Sequence, residues 1–190
     1  MATGKIIIIS APSGCGKSTI IRSLNNRGNI NWRFSVSATN RHPRTGEQDG
    51  VDYHFLTSED FSNAIADDAF IEYEEVYPGR YYGTLKSEVQ SHIDQGENVV
   101  LDIDVKGALR VKKMYGNQAI SIFIMPPSIE TLRQRLENRA TDSAEAIAQR
   151  VSKADYELSF APQFDKQIVN DDLETAVENA EHTIKAFLQQ

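Results

Sequence analysis

The chain has 190 residues, 40% hydrophobic and 25% charged, which is the composition of an ordinary globular domain. Its formal charge of −7 offers no broad basic face to a nucleic-acid backbone, so any positive field must be local. One cysteine, Cys15, excludes an intramolecular disulfide; no apolar run is long enough to span a bilayer, and residues 5–10 are too short for a secretory signal core. A cytoplasmic protein that binds neither membrane nor nucleic acid is the expectation.

Residues 6–9 are four isoleucines, the pattern of a central parallel strand covered on both faces. A glycine-rich turn follows, then a helix over 17–26. Residues 34–83 break the pattern with aromatic, strand-like pieces at 34–37, 53–56 and 70–76 and one short helix at 58–66. They read as an inserted lobe. A helix over 84–95 ends at Gly96, a natural C-cap. Buried strands are expected at 98–104, 120–124 and 164–169. Ser128 can cap the helix after Pro126-Pro127, the polar turn 139–143 is a candidate lid, and a helix over 173–188 closes the chain. Strands alternating with helices indicate an α/β fold around a parallel sheet. The expected division is a core (1–33, 84–134, 156–190), a lobe (34–83) and a lid (135–155).

The first turn carries chemistry. Ala11-Pro12-Ser13-Gly14-Cys15-Gly16-Lys17-Ser18, followed by Thr19, matches the second half of the phosphate-loop pattern, between an apolar strand and a helix as that motif requires. Glycines let main-chain N–H groups converge on phosphate oxygens, and the helix aims its positive end at the same anion. Lys17 is placed to reach the β- and γ-phosphates and the Ser18 hydroxyl to bind magnesium. Ala11 stands where the pattern has glycine. A left-handed alanine would cost about 1–2 kcal/mol, so this residue is expected not to need positive φ. Cys15 reads as a small residue in the loop.

A triphosphate site does not say what receives the phosphoryl group. Arg41 and Arg44, three apart and bent by Pro43, can converge on one dianion, because guanidinium donates in a planar fork that fits phosphate. Glu47, Tyr53, Glu72, Tyr82, Gly83 and Thr84 lie in the same lobe, and tyrosine hydroxyls are good phosphate donors. A carboxylate such as Glu72 can accept from guanine N1–H and the exocyclic amine, a donor pair adenine lacks on that edge. Strand alternation makes Tyr81 a lobe-core residue and Tyr82 a site residue. Asp102 and Asp104 end an apolar strand, where one of them can simply cap the next turn. His42, His54, His92 and His182 show no metal spacing and receive no role.

Several segments, in order over nearly the whole chain, closely resemble the guanylate kinase family. They are the phosphate loop, Ser35-Val36-Ser37, Arg41 to Glu47, Gly50 to Tyr53, Phe70-Ile71-Glu72, Tyr81-Tyr82-Gly83, Leu101 to Asp104, Arg135 to Arg139, and Ile168 to Asp172. The resemblance implies a three-layer P-loop fold with a GMP-binding lobe and a mobile lid. It implies transfer from ATP to GMP (and dGMP) with magnesium, by a monomer or homodimer. It also implies that Arg41, Arg44, Tyr53 and Tyr82 hold the GMP phosphate, with Glu47 and Gly83 in the same set. Ser37, Glu72, Thr84 and Asp104 would surround guanine, and Asp102 would organise magnesium, its water or a nearby arginine. Arg135, Arg139 and Arg150 would converge on the transferring phosphoryl, and Asn170 would lie near the ATP adenosine. Asn40 and Ala140 depart from the family pattern. The rival readings are a kinase for another monophosphate and a non-catalytic, guanylate-kinase-like scaffold domain. Such scaffolds tend to lose the phosphate loop and lid arginines, which this chain keeps.

Overall fold

The computed structural model describes residues 3–138 and 143–190. The isoleucine run becomes strand β1 (Ile6–Ser10), followed by α1 (Lys17–Arg27), β2 (Arg33–Phe34), β3 (Ala38–Thr39), β4 (His54–Phe55), α2 (Ser58–Ala66), β5 (Phe70–Tyr77) and β6 (Arg80–Leu85). Then come α3 (Lys86–Asp94), β7 (Val99–Asp102), α4 (Val105–Tyr115), β8 (Ala119–Met125), α5 (Ile129–Asn138), α6 (Ala144–Leu158), β9 (Lys166–Val169) and α7 (Leu173–Leu188).

Five strands form a parallel sheet in the order β2-β7-β1-β8-β9. Its middle is apolar on both faces because both are covered. Ile7 and Ile9 pack with Ile20, Leu24, Val177 and Ile184 from α1 and α7. Ile6 and Ile8 pack with Val89, Ile93, Ala108 and Val111 from α3 and α4. This is the expected three-layer arrangement, with the phosphate loop leaving the C-terminal end of the central strand β1.

The lobe carries a second sheet in the order β4-β3-β6-β5. The β5/β6 hairpin and the β3–β6 pair are antiparallel, and β3–β4 is parallel. Helix α2 closes one face, its Phe61 ring stacking on Phe70 at 4.5 Å and meeting Tyr81 at 5.6 Å. Tyr81 therefore faces the lobe core and Tyr82 the other side, as alternation requires.

Several boundaries differ from expectation by a residue or two, such as β9 starting at Lys166 rather than at 164, and three of the differences have a clear cause. Phe34 lies in β2, which pairs with Val100 of the core sheet, so the lobe sheet begins at Ala38. Thr84 and Leu85 extend β6 opposite Glu72 and Phe70 rather than opening the helix, which starts at Lys86. The strand expected over 98–104 stops at Asp102, because the Asp104 carboxylate turns to cap α4, accepting from the Lys106 and Gly107 N–H groups at 2.7 and 2.8 Å. At the end of α3, Gly96 sits at φ 77°; its N–H and that of Glu97 return to the Ile93 and His92 carbonyls, a Schellman closure.

Candidate active site

The loop between β1 and α1 presents main chain to an open cavity. Helix α1 starts after Gly16, which is left-handed (φ 87°) and offers no side-chain cap, so the first-turn N–H groups stay available to an anion. A methyl at Gly16 would lie 2.3 Å from Asn170 Nδ2. Ala11 does not adopt positive φ; among the described residues only Asp68 does so without being glycine.

Ala11, Pro12, Ser13, Gly14, Gly16, Lys17, Ser18 and Thr19 line this cavity of about 410 Å³, opposite Asp102, Ile103, Asp104 and Glu157. Lys17 Nζ is paired with Asp102 Oδ1. The Cys15 side chain turns away, fully buried among Leu132, Leu136, Val151 and Ala154 of α5 and α6, and burial pushes its thiol up to about 12. Only its main chain remains in the loop, its carbonyl accepting from Asn170 Nδ2 at 2.8 Å.

Asn170 and Arg135 meet on the other side of the loop. They line a cavity of about 360 Å³ with Gly14, Gly16, Thr19 and Asn138, and Arg135 donates to the Asn170 and Asp171 carbonyls at 2.9 and 3.3 Å. Arg150 lies on α6 and lines neither cavity. Arg139 and Ala140 fall outside the described residues.

The lobe presents side chains. Arg41 donates through both terminal nitrogens to the two Glu47 oxygens at 2.6 Å, and through Nε to Tyr82 Oη at 3.2 Å. Its guanidinium sits 4.9 Å over the Tyr53 ring, which meets Tyr82 edge-on at 5.7 Å. The Arg41 bonds, with the Arg44 N–H, hold the Glu47 carboxyl down at about 2. The Arg44 residue itself is exposed beside this cluster.

Glu72 is buried and accepts from the Thr84 hydroxyl at 2.6 Å. Desolvation outweighs that bond, and with repulsion from Asp104 and Glu74 it raises the Glu72 carboxyl to about 7. Gly107 packs so closely that an added methyl would lie 3.0 Å from Glu72 Cγ, so lobe and core meet there without a spacer. Gly83 is buried in β6, and the Ser37 carbonyl accepts from the His54 N–H at 2.9 Å.

Two carboxylates escaped the sequence reading. Glu157, almost fully buried on α6, lines the phosphate-loop cavity and also an adjoining space of about 200 Å³ beside Glu72 and Asp104. Burial raises its carboxyl above the usual range. Its signal was present, since it follows Arg150 by seven residues and so shares a helix face with it. Glu74, on the same strand face as Glu72, lines that adjoining space too.

A model of the family described as guanylate kinase matches residues 3–187. The guanylate kinase of Bacteroides thetaiotaomicron is 56% identical over 188 residues, covering 99% of this chain and 92% of the relative. That of Porphyromonas gingivalis is 53% identical over 184 residues, covering 97% and 98%. The crystal structure of guanylate kinase from Anaplasma phagocytophilum superposes with a TM-score of 0.73 at 32% identity, covering 100% of this chain and 89% of that one. The chain therefore belongs to the guanylate kinase family, the kinases that move a phosphoryl group from ATP to GMP.

Proposed function

We propose that the phosphate-loop cavity and the lobe are the donor and acceptor halves of one site. The observation that carries this reading is that Asp104 and Glu157 line both the phosphate-loop cavity and the space beside Glu72. A γ-phosphoryl on the loop and a guanine on Glu72 would thus lie in continuous space.

In this reading the loop N–H groups and Lys17 hold the ATP phosphates, and Asn170 lies toward its adenosine. Lys17 exchanges Asp102 for phosphate when ATP arrives. Asp102 and the Ser18 hydroxyl, hard oxygen donors on one cavity, then suit magnesium. That ion supplies charge neutralisation at the β- and γ-phosphates. Arg44, Tyr53, Tyr82 and the Arg41 fork oriented by Glu47 hold the GMP phosphate, one of whose oxygens attacks. Glu72, braced by Thr84, accepts from guanine N1–H and N2–H, with Ser37 and Asp104 beside it. Arg135 and Arg150, with Arg139 between them in sequence, offset charge on the moving phosphoryl. No side chain need act as nucleophile, so position and charge do the work. The reading suits a cytoplasmic enzyme, acting alone or as a homodimer, on GMP and dGMP.

The test is ADP release with GMP, dGMP, AMP, CMP and UMP in turn, with and without magnesium. Turnover is expected with the two guanine nucleotides, in magnesium only. Equal turnover of AMP would overturn the role of Glu72.

A further inference from the structure

Helix α3 buries Val89 and Ile93 in the core, while its outer side carries polar contacts that the reaction leaves unused. His54 Nε2 donates to Glu88 Oε2 at 3.3 Å. The second oxygen, Glu88 Oε1, lies 3.4 Å from His92 Nε2. His92 Nδ1 is 2.7 Å from Glu97 Oε2, and Glu97 Oε1 accepts from Arg33 Nε at 2.6 Å. Five side chains thus alternate imidazole or guanidinium with carboxylate, running from β4 in the lobe to β2 at the edge of the core sheet. From its lobe end to its middle the row is mostly shielded, with His54, Glu88 and His92 side chains 29%, 20% and 22% exposed.

The lobe end of this row sits at a weakly fixed place. Strand β4 is two residues long and lies at the edge of its sheet. Its ladder is the His54 N–H to the Ser37 carbonyl and the Leu56 N–H to the Thr39 carbonyl, both at 2.9 Å. So short a ladder does little to fix the tilt of the strand, although Asp49 Oδ1 also ties it to its own preceding loop by accepting from the Phe55 N–H at 2.8 Å. His54 supplies the tie to α3 and adjoins two site residues: Tyr53 precedes it, under the Arg41 guanidinium, and Ser37 accepts its N–H.

We propose that His54 is a positioning residue for the acceptor nucleotide. Through Glu88 it seats β4, and with it Tyr53 and Ser37, against the core helix α3. His92, Glu97 and Arg33 hold the Glu88 carboxylate in the orientation that receives it. The proposal rests on the reading that Tyr53 and Ser37 contact GMP.

Steady-state kinetics on the full chain test it, with His54→Leu, His54→Gln, Glu88→Leu, the His54→Leu/Glu88→Leu double variant and Tyr53→Phe. His54→Leu is expected to raise KM for GMP about tenfold, the loss of one hydrogen bond to a charged partner. KM for ATP and kcat should stay within about twofold, which separates positioning from general loosening. His54→Gln, which keeps a donor, should return KM to within about threefold of the parent. Glu88→Leu should repeat the His54→Leu effect, and the double variant should add nothing to it. The proposal is overturned if both Leu variants keep the parental KM for GMP, if Gln is as impaired as Leu, or if KM for ATP rises in step. Should His54→Leu not fold, Glu88→Leu carries the same test. An unchanged KM in Tyr53→Phe overturns the underlying reading and this proposal with it. A raised KM there, with unchanged His54→Leu and Glu88→Leu, overturns this proposal alone.

Discussion

The phosphate loop and the lobe are built from different materials. Around residues 11–19 the site is shaped by the course of the main chain, set by the left-handed Gly16 and the open first turn of α1. Between residues 37 and 84 the cluster consists of side chains that hold one another: Arg41 on Glu47, Tyr82 and Tyr53, and Glu72 on Thr84. A site made of main chain depends on φ and ψ, so it accepts Ala11 and Cys15 but not a substitution at Gly16. A site made of side chains depends on partners from several strands, so its weak points are scattered along the sequence.

Four experiments press on that contrast. The largest effect is expected at Lys17, the main side-chain charge in the loop. Lys17→Ala should lower kcat about 10²–10³-fold with little change in melting temperature. Full GMP-dependent turnover by this variant would falsify the donor assignment. Next comes the base. Glu72→Ala removes an acceptor worth about 1.5–3 kcal/mol per bond to a charged partner, so the preference for GMP over AMP should fall roughly ten- to hundredfold. Unchanged selectivity in competition assays means that guanine is read elsewhere.

Gly16→Ala tests the main-chain half. Positive φ and a 2.3 Å contact with Asn170 Nδ2 should together cost about 1–3 kcal/mol of stability, visible in thermal melting, and weaken ATP more than GMP. Equal weakening of both nucleotides would erase the distinction between the halves.

The smallest effect is a pH dependence confined to the lobe. The Glu72 carboxyl, near 7 when folded, lies above its unfolded value of 4.5. Between those values the folded chain binds more protons, so the Glu72 contribution to stability is present below about 4.5 and is lost as pH rises through 7. Relative to the parent, Glu72→Gln should therefore gain melting temperature as pH rises from 5 to 8. Guanine donors favour the ionised carboxylate, so KM for GMP should rise as pH falls below about 7 while KM for ATP holds steady. A parallel rise in both would place the titration elsewhere.

What the sequence disclosed follows the same division. Local signals sufficed for β1, where four consecutive isoleucines admit only a covered strand, and for α7, whose bounds matched at both ends. They sufficed for the phosphate loop, because its chemistry is contiguous. They failed where a partner distant in sequence decides. Phe34 is a core-edge residue because Val100 is beside it, and Thr84 is strand because Glu72 faces it across the hairpin. Arg41 could be read as a phosphate ligand from its spacing, yet its bidentate hold on Glu47 needs the turn at 44–47. His54 carried no local mark and Glu157 only its spacing from Arg150, since the approach of α3 and α6 is what gives each something to face.

The burial of Cys15 has a practical consequence. The chain has no other thiol, and this one is walled in by the helices on either side of residues 139–142, well above the range where a thiolate forms at neutral pH. The unaltered enzyme should therefore be silent to maleimide reagents. A pair of cysteines introduced at exposed positions, for example Val51 in the lobe and Lys113 on α4, could be labelled without first removing the native one. Distances between such labels would report the approach of lobe to core as each nucleotide binds, on an otherwise unmodified background.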